Sequence, residues 1–144
     1  MLSAWEEGKR APDEEKFVGL HAFRIYRPER ITIVFGGIFS VPEAEEIVRL
    51  MHEAAERFGP VFIGVDATGF RPSGARVRSI FAHGNGRKFN ARGAAVWGAN
   101  YTLQTILNMV IRAGTYVRKD FVTFPVAFVR NEAEALAWFA SVKK

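Results

Sequence analysis

A serine, a histidine and an aspartate, Ser73, His83 and Asp66, can be written as a hydrolytic triad in which the imidazole takes the serine proton and the carboxylate orients the ring. No G-x-S-x-G elbow surrounds the serine, and an isolated set of these three residue types occurs by chance in most chains of this length. Asp66 closes a predicted strand, where it suits the amides of Thr68 and Gly69 as a loop acceptor better than it suits a substrate as a general base. His21, His52 and His83 are the only histidines, and no two are spaced as metal ligands. The chain has no cysteine, which excludes disulfides, thiolate metal sites and thiol nucleophiles together. The expectation is a protein with no catalytic residues, no metal and no cofactor.

The charged residues say more. Residues 1–66 carry eight basic and twelve acidic side chains, whereas residues 67–144 carry twelve basic and three acidic, so the net charge of +5 hides a two-ended molecule. Between Ala67 and Lys119 there are nine basic residues and no carboxylate. An anionic partner, such as an acidic protein, is the natural inference, set against a solvated basic face that pairs with the acidic first helix. Arg71, Arg76 and Arg78 surround Ser73 where a helix should begin, and Arg87, Lys88 and Arg92 follow the Gly84-Asn85-Gly86 turn. A helix start presents unpaired amides that favour anions, so a phosphate added to Ser73 would be stabilised there by these arginines. The plainer alternative is that Ser73 caps the helix and the arginines face water.

Phe81, Phe89 and Trp97 are interleaved with Arg87, Lys88 and Arg92, a mixture that can stack bases and pair phosphates. The same aromatics fit the core pattern, which makes nucleic acid the weakest of the binding readings. The glycine turn also lacks the lysine followed by serine or threonine of a phosphate loop. A helix through Leu103, Ile106, Leu107, Val110 and Ala113 is apolar beyond one face. Tyr101, Met109 and Tyr116 lie off its stripe, and Phe121 and Phe124 follow; together they could wall a pocket for a lipid-like or other hydrophobic small ligand. A second buried helix edge explains the same surplus.

The elements that must position these residues follow from periodicity. Val18 to Tyr26 and Arg30 to Gly36 read as a hairpin turning through Arg27-Pro28-Glu29, with Ile31, Ile33 and Phe35 on one strongly buried face. Ser40-Val41-Pro42-Glu43 has capping-box spacing, and Ala44, Ile47, Val48, Met51, Ala55 and Phe58 recur as the apolar side of a helix that Gly59-Pro60 ends. Val61 to Val65 reads as a central strand covered on both faces. A second helix is expected from Pro72 or Ser73 to about His83, burying Val77, Ile80 and Phe81. Arg92 to Trp97 and Pro125 to Val129 read as strands. Asn100 and Asn131 are placed to cap the last two helices, the final one turning Ala135, Leu136 and Phe139 inward. The fold class is α/β: one mixed, largely parallel sheet with an N-terminal hairpin and about four helices. Residues 1–16, acidic and without an apolar run, read as a polar flexible tail, and 17–144 as a single domain. No stretch is long and apolar enough to span a membrane, and a cytoplasmic location is expected.

In this order the landmarks resemble the STAS-like domains, the SpoIIAA-like fold of anti-sigma-factor antagonists, over roughly Phe17 to Val142. Phe35-Gly36-Gly37-Ile38-Phe39-Ser40-Val41-Pro42-Glu43-Ala44 looks like the family's strand–glycine–helix junction. Val65-Asp66-Ala67-Thr68-Gly69-Phe70-Arg71-Pro72-Ser73-Gly74 partly reproduces its strand, loop and Asp-Ser-Ser-Gly helix start, and Asn131-Glu132-Ala133-Glu134-Ala135-Leu136 is similar to its closing acidic-alanine helix. The resemblance implies a bacterial regulatory module that binds a protein partner in signalling. In switch members the first serine of that motif is phosphorylated and follows an aspartate; Pro72 and Arg71 stand at those positions here, and only Ser73 and Gly74 remain.

Overall fold

The structure, a computed structural model, describes residues 10–84, 89–105, 108 and 124–143. The expected hairpin forms from β2 (His21–Tyr26) and β3 (Arg30–Val34), antiparallel, with Phe23 opposite Ile33 and Ile25 opposite Ile31. It does not start the sheet. A further strand, β1 (Glu14–Val18), pairs antiparallel with β2, so the chain enters the sheet inside the segment expected to be a tail. The tie is the backbone ladder to β2, closed by Val18, which joins the core. Glu14 meets Arg57, Glu15 meets Arg24 and Lys16 meets Glu46, so the polar side chains of this edge strand add ion pairs that the hydropathy pattern does not reveal.

The rest alternates as expected: α1 (Val41–Phe58), β4 (Val61–Asp66), α2 (Ala75–His83), β5 (Ala91–Trp97), a helix α3 described over residues 101–105, β6 (Val126–Val129) and α4 (Glu132–Lys143). Among the described residues six strands make one mixed sheet in the order of the sequence, with β3 to β6 parallel. Each crossover steps to the next strand in the same direction, so crossovers of one hand lay their helices on one face. The packing agrees. α1 and α2 bury Ile47, Val48, Met51, Val77 and Ile80 against Ile31, Ile33, Val61 and Ile63, and Leu103 of α3 joins Val96 and Ala67 at the edge of that layer. Burial of each such side chain contributes about 1.5–3 kcal/mol. α4 takes the opposite face, with Ala135, Leu136 and Phe139 on Phe62, Ala95 and Trp97.

Local signals set the helix ends. Ser40 Oγ accepts from the Glu43 amide at 3.3 Å and Glu43 Oε1 accepts from the Ser40 amide at 2.8 Å, completing the box. Asn100 Oδ1 accepts from Leu103 N–H at 2.8 Å, and Asn131 Oδ1 from Glu134 N–H at 2.9 Å. β3 differs from its expected one-sided burial. Arg30 and Thr32 on its second face are also buried, Arg30 with its guanidinium 3.8 Å from the Tyr26 ring centre and 3.9 Å from Glu132. Among the described residues no helix is long and apolar enough to cross a membrane.

Candidate functional site

The parallel strands β3, β4 and β5 end together, and their exits, with the β1–β2 turn, form one end of the molecule. These loops pack backbone to backbone. A Cβ at Gly36 would collide with the Leu20 carbonyl, and one at Gly69 with the Phe35 carbonyl, so only glycine permits either approach. Backbone bonds from Phe35 N–H to Asp66 O at 3.0 Å and from Ala67 N–H to Trp97 O at 2.9 Å carry the ladder past the strand ends. Asp66 Oδ1 accepts from Thr68 N–H at 3.1 Å, the loop-acceptor role expected of it.

His21 fastens two of the loops. Its Nδ1 accepts from Gly36 N–H at 2.9 Å, which leaves the proton on Nε2 to donate to Ile38 O at 3.3 Å. The ring is 1 % exposed and stacks on Phe39 at 3.6 Å. Burial holds its pKa below the ordinary imidazole value, against the pull of Glu43, whose Oε1 is 3.8 Å away. Glu43 is itself held below the usual carboxylate range, first by the Ser40 amide. Nothing in the sequence pattern singles out His21 for this role, because both partners are backbone atoms of a distant loop.

α2 starts two residues later than Ser73. Its N-cap is Gly74, with no side-chain cap, because Ser73 Oγ is turned back to accept from Phe39 N–H at 3.0 Å. Ser73 is therefore a half-buried tie between the β3–α1 loop and the α2 entrance. Arg71, Arg76 and Arg78 are exposed there. Arg78 donates to Ser73 O at 2.8 Å, and among the described residues no carboxylate lies within ion-pair distance of any of the three. Elsewhere guanidinium groups are matched: Arg24 to Glu15 at 2.6 Å, Arg57 and Arg27 to Glu14 at 2.7 and 2.9 Å, Arg49 to Glu53 at 2.9 Å and to Glu46, and Arg130 to Glu134 at 2.7 Å.

Arg92 is not brought to this surface. It is the extra residue of a register shift at the start of β5, at the far end of the strand, where it pairs with Glu29 at 2.5 Å over the Phe62 ring. Arg87 and Lys88 lie outside the described residues, as do Met109, Tyr116 and Phe121 of the apolar set. Of that set's other members, Phe124 packs on the main core while Tyr101 is 84 % exposed, so these two wall no common cavity. Ser73, Asp66 and His83 are not assembled as a relay: His83 Nδ1 lies 3.0 Å from Ser79 O, and each of the three is engaged separately. Two exposed apolar residues at this end, Leu20 and Ile38, were not among the expected site residues. Their signal is legible in retrospect, since each is a large aliphatic beside glycine in a turn, outside any core-facing period. Comparison of the chain with protein-family models, with curated proteins and with solved structures returns no match.

Proposed function

We propose that this chain is a non-catalytic regulatory or scaffold module that binds a protein partner through the α2 entrance. One observation carries the reading: Arg71, Arg76 and Arg78 are exposed and lack a carboxylate partner among the described residues. The placement is costly. The first turn of α2 contains no acidic residue, and Arg76 sits in it against the positive end of the helix dipole, an arrangement that opposes the helix by about 0.3–1 kcal/mol per charge. A local choice that works against its own element is the kind of inconsistency that function retains. An acidic partner would relieve both the dipole and the mutual repulsion. The STAS-like landmarks of the sequence favour the same class of role, a signalling module that acts by being bound, in the cytoplasm of a bacterium.

The test is charge reversal at Arg76 and Arg78. Affinity purification from the native cell with the wild-type chain should recover a protein partner that the R76E/R78E double variant does not, while circular dichroism shows the variant folded. Recovery of the same partners by both chains would remove the α2 entrance as the working surface.

A further inference from the structure

The described residues expose four large apolar side chains: Phe17, Leu20, Ile38 and Tyr101. Scattered single exposures are ordinary, and Phe17 on the edge strand is one. The other three share the end of the molecule that carries the α2 entrance. Leu20 (82 % exposed) is in the β1–β2 turn, Ile38 (62 %) in the β3–α1 loop and Tyr101 (84 %) at the start of α3.

These side chains stand on fixed supports. The β1–β2 turn rests on Gly36, His21 grips the Ile38 carbonyl, and Ser73 grips the Phe39 amide. Beneath them runs an aromatic layer in which Phe39 meets Phe35 and Phe81 edge-on at 5.2 Å and Phe35 meets Phe70 at 5.9 Å. Leu103 packs with Ala67 and partly buried Phe70, so the α3 start is joined to the β4–α2 loop. Apolar groups carried on a rigid base lose side-chain rotamer freedom but little backbone freedom when they are covered, which lowers the cost of a contact.

The charges decide what covers them. Arg78 is bound to Ser73 O, and Ser73 in turn holds the Phe39 amide next to Ile38, so the three guanidinium groups of the α2 entrance lie in the loop joined to the one that carries Ile38. They outnumber the carboxylates of these strand exits among the described residues, Glu43 and Asp66, each of which keeps its charge while accepting from a backbone amide. The field offered to a visitor is therefore positive. Two of the three apolar groups are branched aliphatics. A nucleic acid would gain little from them, because its bases stack on flat rings, whereas a peptide's own aliphatic and aromatic side chains pack on them directly. Resting on the α2-entrance reading, we infer that this end face docks an acidic amphipathic segment of a partner protein, with its large apolar side chains seated on Leu20, Ile38 and Tyr101 and its carboxylates against Arg71, Arg76 and Arg78. The anchors supply affinity and the arginines supply approach rate and register.

The probe is a displayed library of random dodecapeptides panned on the folded chain, followed by affinity measurements on the most enriched peptide. Enriched sequences should combine Asp or Glu with Leu, Ile, Val or Phe. L20S/I38S and R76E/R78E should each weaken binding by about tenfold or more, with far-UV spectra unchanged, since all four residues are exposed. Acidic peptides without apolar residues that bind L20S/I38S as tightly as wild type would overturn this inference and leave the arginine reading standing. Apolar peptides indifferent to R76E/R78E would overturn the arginine reading itself. Displacement of the enriched peptide by oligouridylate at lower concentration than the free peptide requires would assign the face to nucleic acid instead. A library from which nothing is enriched also overturns the inference.

Discussion

Two sets of arginines divide this molecule. Those of β1 to β3 and α1, with the turns between them, are tied to carboxylates or rings: Arg24, Arg27, Arg30, Arg49 and Arg57 each face a Glu, and Arg10 lies near Asp13 and Tyr26. Those of the α2 entrance have no such counter-charge among the described residues. Exposure alone does not separate the sets, since Arg27 and Arg49 are more than half exposed. What separates them is the work done by the partner. Glu14 joins the edge strand to α1 and to the β2–β3 turn in a single carboxylate, and Arg30 joins β2, β3 and the start of α4. Removing an arginine of the first set should therefore loosen the fold, and removing one of the second should leave the fold intact and affect only what binds to it.

The largest contrast is expected between Arg30→Ala and Arg76→Ala. Arg30 is 7 % exposed and stacked on Tyr26, so its truncation opens a cavity and loses the cation–π contact, for about 2–3 kcal/mol. Arg76→Ala should stay within about 0.5 kcal/mol of wild type, or gain slightly from relief of the dipole conflict. Urea denaturation of the two variants measures this. Equal losses would erase the distinction between the sets.

The next effect tests whether the binding end is a rigid unit. Gly36→Ala places a methyl group on the Leu20 carbonyl, a backbone atom that cannot swing away, and should cost about 1–3 kcal/mol. Unlike Arg30→Ala, it should also weaken peptide binding, because it displaces the turn that carries Leu20. A stable Gly36→Ala protein with unchanged binding would separate the loops from the site.

His21 sharpens the comparison through pH. His21→Phe leaves the Gly36 amide without its acceptor, at a cost of about 1–2 kcal/mol near neutral pH. The folded protein holds the imidazole neutral below its ordinary value, so the unfolded chain takes up the proton first as pH falls. Stability contributed by neutral His21 is thus present above the ordinary imidazole pKa of 6.5, which the unfolded chain keeps, and declines as pH drops below it. The gap between wild type and His21→Phe should narrow as pH falls below about 6.5. A gap that widens would mean that Glu43 outweighs burial.

Sequence signals that act within a few residues were legible. The Ser40–Glu43 box, the Val77 and Ile80 pair, and the Asn100 and Asn131 caps stand as expected, and so do Ala44, Ile47, Val48 and Met51 of α1, whose buried side also takes in Leu50, His52 and Ala54 while Ala55 and Phe58 are half-buried. What escaped depends on distant partners. β1 is a strand because its backbone completes the edge of β2, with charges that reach Arg24, Glu46 and Arg57, α2 starts late because a residue 34 positions away takes the Ser73 hydroxyl, and Arg92 is withdrawn by Glu29 across 63 positions. For the candidate site, the arginines of the α2 entrance were readable as a carboxylate-free run. Their neighbours Leu20 and Ile38 become visible only when the loops are placed side by side.

The smallest effect concerns Glu14, and it follows from the same division. Hydrogen bonds from Arg57 and then Arg27 lower its pKa from 4.5 to about 2. The unfolded chain would bind a proton at the higher value, so the stabilisation is complete above pH 4.5 and disappears as pH falls from there to about 2. Solvent and salt screen this exposed network, and at neutral pH Glu14→Gln should differ little from wild type, the less so as salt is added. In acid the two curves should converge across that window, which a series of thermal melts at low ionic strength would follow. Arg76→Gln supplies the control: with no carboxylate to release, its offset from wild type should stay level through the same interval. An acid-dependent offset for Arg76→Gln would show a counter-charge at the α2 entrance and place its arginines with those that hold the fold.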